Sequence, residues 1–315
     1  MKSRIHGRRA FIGAMAGGAA YLASKGGGVP LLGQDQVIQA APTPAPADSG
    51  LVYQCPMDAD VRSNVPGVCP RCGMTLQSHI PEPTEFPMDF SIGPLPLKAG
   101  VKTELTFAVH DPQNNKQVSH FQIVHEKLFH LFIVSANMKH FVHDHPVLGA
   151  DGKFRYTYVF PEPGLYRLLG DFFPEGATPQ LAAKTVFVPG GTMQMPHITK
   201  DYSQRQMTNM GVSLTTVPEV PTSGIETRLF THLTDADGLE KYIGAWCHML
   251  AASDDLIDLI HSHPFIADGG PEMRFDVYFP RARGYRVWLQ WQKKGVINTT
   301  FFDVPVADIE SVGVQ

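Results

Sequence analysis

An internal duplication constrains the fold of this chain more than any other feature. The blocks 130–146 and 248–264 align without a gap and share three histidines, one serine and one proline at equivalent positions. The flanking segments 100–111 and 224–235 align in the same way. A repeat of this length indicates one structural unit that is present twice. We therefore predict two domains of one fold, at residues 85–189 and 210–306.

Each copy shows the residue alternation of β-strands. Large apolar side chains occupy every second position of one stretch per copy, at Phe154, Tyr156, Tyr158 and Phe160, and at Met273, Phe275, Val277 and Phe279. A period of two places one face of a strand in a core, and short strands between Pro- and Gly-containing turns are typical of antiparallel sandwiches. The predicted fold class is all-β: two tandem immunoglobulin/cupredoxin-like antiparallel sandwiches, preceded by a small Cys-rich metal-binding hairpin.

Three of the four cysteines lie close together before the repeats. Cys69 and Cys72 form a C-x2-C pair, and Cys55 lies upstream of them among proline and glycine residues. A segment this short cannot bury a core of its own, whereas thiolates that converge on one soft metal ion would hold it together. The alternative is a disulfide between two of the three cysteines, because C-x2-C is also a redox motif. We favour a metal-binding module over residues 51–78.

The same segment resembles the heavy-metal-binding domain attached to bacterial copper and cation efflux proteins. The resemblance rests on two strings, Cys55-Pro-Met57 and Cys69-Pro-Arg-Cys72-Gly-Met74. It implies a copper or zinc ion bound by the three cysteines, and a metal-efflux or membrane metal-handling protein as partner. That family usually has histidine after Cys-Pro-Met, where this chain has Asp58. A carboxylate is a harder ligand than imidazole, so Met57 or Met74 is an alternative ligand if the ion is Cu(I).

Each repeat also carries three histidines in the pattern H-x12-H-x-H-P. The first triad is His130, His143 and His145, and the second triad is His248, His261 and His263. Residues i and i+2 of a strand project from the same face, so each H-x-H pair presents two imidazoles together. With the upstream histidine on a neighbouring strand, each triad would form a Zn(II) or Cu(II) site. The alternative is a structural role, because duplication preserves buried, hydrogen-bonded histidines as readily as ligands.

Polar residues near the triads differ between the repeats. Asp144 and Asp171 are candidate auxiliary ligands of the first triad, and Gln290 replaces Asp171 in the second repeat, which predicts two unequal sites. The remaining histidines of the first repeat have no counterparts in the second and are expected at the surface; they are His110, His120, His125 and His140.

The repeated histidine block resembles exported bacterial proteins of unassigned role that accompany copper and heavy-metal modules. Cys247 precedes His248, where the first repeat has Phe129. Strand neighbours point to opposite faces, which favours a buried structural thiol over a nucleophile or a copper ligand. Residues 190–209 are predicted to be a methionine-containing linker, and packing between the sandwiches is favoured over a Cu(I) site for its methionines.

The N-terminus has the composition of a targeting segment. Arg8-Arg9 and the apolar, Gly- and Ala-rich stretch after them resemble a twin-arginine export signal, with an ordinary secretory signal as the alternative. We predict a signal at residues 1–24, a disordered linker at 25–50 and a short tail at 307–315. The expected location is the periplasm, with membrane attachment only through an uncleaved signal.

Composition narrows the function further. The 315 residues carry a net charge of −4 and no basic run beyond the N-terminus, which argues against nucleic acid as a partner. The leading hypothesis is an exported, non-catalytic protein that binds copper or another heavy metal for sequestration or transfer. The alternatives are a metalloenzyme that uses one triad, and an interaction module in which metal only holds the Cys-rich hairpin together.

Overall fold

The computed structural model describes residues 52–56, 61–79, 84–191 and 195–311. Its secondary structure consists of twenty strands, which confirms the all-β class. The predicted signal and disordered linker lie outside the described residues, as do Met57, Asp58 and the end of the predicted tail. Within the described ranges, no helix has the length and apolar character that a membrane span requires.

The Cys module, residues 52–79, is a small antiparallel sheet. Its strands are β1 (Val52–Gln54), β2 (Arg62–Ser63) and β3 (Gln77–His79), in the order β2-β1-β3. The buried apolar cluster of this module consists of Cys55, Cys69 and Leu76, with Tyr53 and Val61 packed against it. Two of its three buried members are predicted metal ligands, so apolar burial alone contributes little to its stability.

The Cys module is docked on the first repeat. The buried side chain of Asn64 accepts a hydrogen bond from the Gly176 amide (2.6 Å) and donates one to the Ala177 carbonyl (3.0 Å). Arg62 forms an ion pair with Asp111 at 2.8 Å.

The first repeat is a sandwich of two four-stranded antiparallel sheets. One sheet has the order β4-β5-β9-β8 and the other β11-β10-β6-β7. The strands are β4 (Met88–Gly93), β5 (Lys102–Val109), β6 (Phe129–Ser135), β7 (Phe141–Asp144), β8 (Val147–Leu148), β9 (Phe154–Val159), β10 (Gly164–Phe172) and β11 (Gln180–Val188). Both sheets contribute to one core, which includes Phe107, Phe129 and Phe154.

The second repeat has the same architecture. One sheet has the order β12-β13-β14-β18; the other has the order β15-β19-β16-β17, and β20 also pairs with β19. The strands are β12 (Arg205–Gln206), β13 (Gly211–Val217), β14 (Glu226–Thr234), β15 (Leu239–Glu240), β16 (His248–Ser253), β17 (Leu259–Ser262), β18 (Glu272–Tyr278), β19 (Gly284–Lys293) and β20 (Val296–Pro305). Strand β12 lies within the predicted linker. The two-sandwich prediction is confirmed.

A third apolar cluster joins the repeats. It contains Phe132 and Val134 of β6, Leu250 and Ala252 of β16, and Trp288 of β19. Alternate residues of β6 and β16 belong to the cores of their own repeats instead. Both strands are therefore buried on both faces, and the sheets β11-β10-β6-β7 and β15-β19-β16-β17 pack face to face.

Candidate metal sites

The Cys module brings its three cysteines together. The sulfurs of Cys55, Cys69 and Cys72 lie within 4.8 Å of one another, and those of Cys55 and Cys72 are 3.5 Å apart. None of these described cysteines forms a disulfide, so the alternative pairing is not what the structure shows. Sulfurs that bind one tetrahedral zinc ion at about 2.3 Å are about 3.8 Å apart, which this arrangement approaches.

A tight turn positions the C-x2-C pair. The Gly73 amide donates to the Cys69 carbonyl at 2.9 Å, and the Cys69 amide donates to the Met74 carbonyl at 2.8 Å. Gly73 has a φ of 74°, a left-handed conformation that glycine adopts at little cost. Cys55 and Cys69 are buried, whereas Cys72 is exposed, so the sulfur cluster is open on one side. Met74, the other predicted ligand in the described part of the module, has 43% of its surface exposed.

In the first triad, the histidine rings converge from two paired strands. His130 lies on β6, His143 on β7 opposite Phe132, and His145 directly after β7. Nδ1 of His130 is 3.1 Å from Nε2 of His143 and 3.2 Å from Nε2 of His145. Nitrogens that share a tetrahedral ion at about 2.0–2.1 Å are about 3.4 Å apart. The two distances from His130 are therefore close to those of one coordination sphere, and one nitrogen from each of the three rings lies within 4.8 Å of the others.

The second triad repeats this geometry. His248 lies on β16, His261 on β17 and His263 directly after it. Nδ1 of His248 is 3.0 Å from Nε2 of His263, and one nitrogen from each of the three rings lies within 4.8 Å of the others. Nε2 of His261 is buried and has no hydrogen-bond partner among the described residues. A buried nitrogen without a partner is costly for a purely structural histidine, whereas a metal ion would use its lone pair.

Backbone carbonyls fix the upstream histidine of each triad. Nε2 of His130 donates to the Val124 carbonyl at 3.0 Å, and Nε2 of His248 donates to the Tyr242 carbonyl at 2.8 Å. Each carbonyl belongs to a short turn that precedes the strand. Because Nε2 carries the proton, Nδ1 presents its lone pair to the other two rings of the triad. A metal-binding histidine is usually oriented by such an outer acceptor.

The other acceptors come from the opposite repeat. Asp171 lies beside His130 in strand register, but its carboxylate accepts a hydrogen bond from Nδ1 of His261 at 2.5 Å. Gln290 lies beside His248, yet its side-chain oxygen accepts from Nδ1 of His143 at 2.8 Å. The structure therefore places a carboxylate oxygen of Asp171 against His261 of the second triad, whereas the sequence suggested a role beside the first triad. The sheets face each other, so a side chain on β10 or β19 meets the opposite triad rather than its own.

Asp144 and His125 also differ from expectation. The carboxylate of Asp144 accepts a hydrogen bond from the Tyr156 hydroxyl at 2.7 Å and the backbone amide of His145 at 2.8 Å. His125, expected at the surface, packs against His263 of the second repeat, with ring centroids 3.7 Å apart and the rings inclined at 37°.

Burial lowers the pKa of five triad histidines and keeps their imidazoles neutral. It lowers the pKa of His130 and of His145 to about 4 and that of His248 to about 3, with neighbouring histidines contributing in the same direction. The same causes lower the pKa of His143 and His263 further. Neutral imidazole is the form that binds metal, so these five histidines are ready to bind at neutral pH.

Cys247 takes no part in either site. It is completely buried in the core of the second repeat, on the face of the sheet opposite to His248. Burial raises the pKa of its thiol well above the usual value, which makes it unreactive.

Comparisons with known proteins divide the chain in the same way as the structure. The family described as domain of unknown function DUF8832 matches residues 87–189 and again residues 206–308. The heavy metal binding domain matches residues 52–79.

One curated relative is a copper-transporting P-type ATPase from Rhizobium leguminosarum bv. viciae. It is 48% identical over 44 residues, which cover 14% of this chain and 5% of the ATPase. The similarity is thus confined to a small part of that transporter.

The solved structures that resemble the chain are distant. Red sea bream transglutaminase has a TM-score of 0.20 and 10% identity over 70% of this chain and 31% of its own. The FN1–FN3 domains of chicken CNTN1 have a TM-score of 0.20 and 12% identity over 77% of this chain and 76% of theirs.

Proposed function

Given that the chain belongs to the DUF8832 family, with two copies of that domain behind a heavy metal binding domain, we propose that it is an exported copper-binding protein. In this proposal the protein sequesters copper in the periplasm or passes it to a metal-efflux protein. The observation that carries the proposal is the sulfur cluster of Cys55, Cys69 and Cys72, in a segment that matches a heavy metal binding domain.

Ligand chemistry supports copper. Thiolates favour soft ions such as Cu(I), and imidazoles suit Cu(II) and Zn(II). The chain thus offers one soft and two borderline ligand sets, which suits a protein that handles copper in both oxidation states. The relative that is a copper-transporting ATPase supports copper over zinc and suggests an efflux protein as the partner.

The polar groups around the triads support binding rather than hydrolysis. A zinc hydrolase would need a general base beside the metal. Both predicted candidates are engaged, Asp144 by Tyr156 and Asp171 by His261.

Metal analysis tests the binding proposal. Full-length protein purified without chelator should contain copper, and a Cys55→Ser, Cys69→Ser, Cys72→Ser triple variant should lose at least one equivalent. Cys247→Ala is the matched control, because this cysteine lies in a core away from the sulfur cluster, and it should keep the wild-type content. Equal copper in the triple variant and the wild type would refute the role of the Cys module.

Cell fractionation tests export. The wild-type protein should appear in the periplasm, and a variant with Arg8→Lys and Arg9→Lys should remain in the cytoplasm. Arg4→Lys, outside the arginine pair, is the control and should be exported. Periplasmic protein in the double variant would contradict the twin-arginine route.

A further inference from the structure

The two triads are close enough to form one cluster. The ring centroid of His143 is 5.1 Å from that of His248, and His130 lies 5.7 Å from His261. Within the triads, ring centroids are 4.6 to 6.0 Å apart, as between His248 and His263 or between His248 and His261. Rings of different repeats are therefore as close as rings of one triad. We call the six histidines together the histidine centre.

Three contacts tie the histidine centre together across the interface. Asp171 and His125 of the first repeat contact the second triad, and Gln290 of the second repeat contacts the first triad. Gln290 is itself held in place, because its side-chain amide donates to Thr299 at 3.0 Å. Neither repeat alone therefore contains a fully supported ligand set.

We propose that the histidine centre binds a pair of divalent copper or zinc ions, one per triad, and that each repeat supplies the acceptor that orients a ligand of the other repeat. This inference rests on the proposed metal-handling function. It adds a second metal-binding region, which forms where the two repeats meet. Both ions have imidazole nitrogens as their protein ligands, and neither shares a ligand with the Cys module.

The two acceptors make the sites unequal. A carboxylate that accepts a hydrogen bond from a ligating histidine makes that ligand more basic than a neutral amide does. Asp171 supports the second triad and Gln290 supports the first. The second triad therefore binds its ion first and more tightly. The first triad binds the second ion more weakly, also because two nearby cations repel each other.

Copper(II) titration of the full-length chain with the three cysteines of the Cys module replaced by serine tests the pairing. We expect two equivalents to bind. At full occupancy, electron paramagnetic resonance should show the half-field transition of two Cu(II) ions that lie close together. His145→Ala or His263→Ala should each remove one equivalent and abolish that transition. Binding of one equivalent or none, or two equivalents without the transition, would overturn the proposal.

Crossed support means that each repeat supplies the hydrogen-bond acceptor for a ligand of the other repeat. It is tested with one triad intact at a time. In the His145→Ala background only the second triad remains, and Asp171→Asn should lower its Cu(II) affinity by about 10- to 100-fold. In the His263→Ala background only the first triad remains, and Asp171→Asn should have little effect while Gln290→Glu should raise the affinity. Affinities are measured by competition with a chelator, after thermal unfolding shows that each variant is folded.

The matched control is Asp89→Asn, which removes the same charge from an aspartate paired with a histidine outside the centre, His110. It should change neither affinity. If Asp171→Asn weakens the first triad instead of the second, crossed support is refuted.

The failure of this inference is distinct from the failure of the proposed function. If the wild-type chain holds copper and the variant with serine at the three cysteines of the Cys module holds none, the Cys module remains a binding site. The same outcome would mean that the histidine centre has only a structural role. Absence of copper from both proteins would refute the metal-handling function itself.

Discussion

The Cys module and the histidine centre position their donor atoms by opposite means. In the Cys module, Cys55 and Cys69 are at once the predicted ligands and most of the buried cluster. In the histidine centre, the proposed ligands lie on, or directly after, strands whose other faces pack in two large cores. We therefore expect the shape of the Cys module to depend on a bound ion, whereas the fold alone shapes the histidine centre.

Metal removal should separate the two regions most strongly. After treatment with a chelator, we expect amide hydrogen exchange in residues 61–79 to approach the rate of an unfolded chain, because the small buried cluster and the docking contacts of Asn64 and Arg62 stabilise that segment only weakly without an ion. Strands β6 and β16 should remain protected. If the chelator leaves hydrogen exchange in the Cys module unchanged, packing alone folds the module. The proposed contrast between the two sites would then be wrong.

Truncation of Phe132 should show that packing shapes the histidine centre. This buried side chain lies between the sheets and stacks on His143 at 4.3 Å and near His261 at 4.7 Å. Phe132→Ala should lower the free energy of unfolding of the metal-free protein by about 3–5 kcal/mol, measured with urea. Phe187→Ala, at an exposed position of β11, is the control and should change it by about 0.5 kcal/mol or less. If both variants lose the same free energy of unfolding, Phe132 does not stabilise the histidine centre.

Acid should lower the free energy of unfolding of the metal-free protein. The histidine centre should contribute to this loss before other buried groups do. The pKa values of His130 and His145 are about 4 in the folded protein, and about 6.5 is expected after unfolding. Between these values the unfolded chain binds more protons, so the free energy of unfolding falls as pH decreases below about 6.5. Each histidine contributes a slope of at most about 1.4 kcal/mol per pH unit.

Urea unfolding at a series of pH values checks this dependence. His145→Gln should make the slope shallower, and His120→Gln, at an exposed position, should leave it as it is. A slope that is the same in all three proteins would show that the triads do not titrate on unfolding.

Loss of the docking contact should have the smallest effect. Asn64→Ala leaves the Gly176 amide without its partner, at a cost of about 1–3 kcal/mol confined to the contact with the Cys module. Limited proteolysis should then cut residues 61–79 faster while both repeats stay intact. Gln77→Ala, an exposed truncation in the same module, is the control; equal cleavage of the two variants would mean that Asn64 does not anchor the module.

Much of the fold was predictable because its signals are local. The alternation around Phe154 and Phe275 reflects which face of one strand is buried, and that pattern can be read without knowing its partner strand. The spacing of the C-x2-C pair likewise allowed the sulfur cluster to be predicted, since Cys69 and Cys72 meet through one turn.

The crossed contacts were not predictable in the same way. The alignment of the repeats identifies Asp171 and Gln290 as equivalent positions, which suggests that each side chain serves the triad of its own repeat. Only the face-to-face packing of the sheets carries them to His261 and His143. His125 was misjudged for the same reason, since its partner His263 belongs to the other repeat.

By itself, the sequence determined the all-β class, the duplication, the cysteine cluster and the membership of each histidine triad. These features follow from short-range periodicity and spacing, which the backbone converts directly into shared faces and turns. Only the tertiary structure decided that the two triads meet and that each repeat supports the other. Strand β6 is apolar on both faces, and which surface covers its outer face depends on how two separate sheets pack.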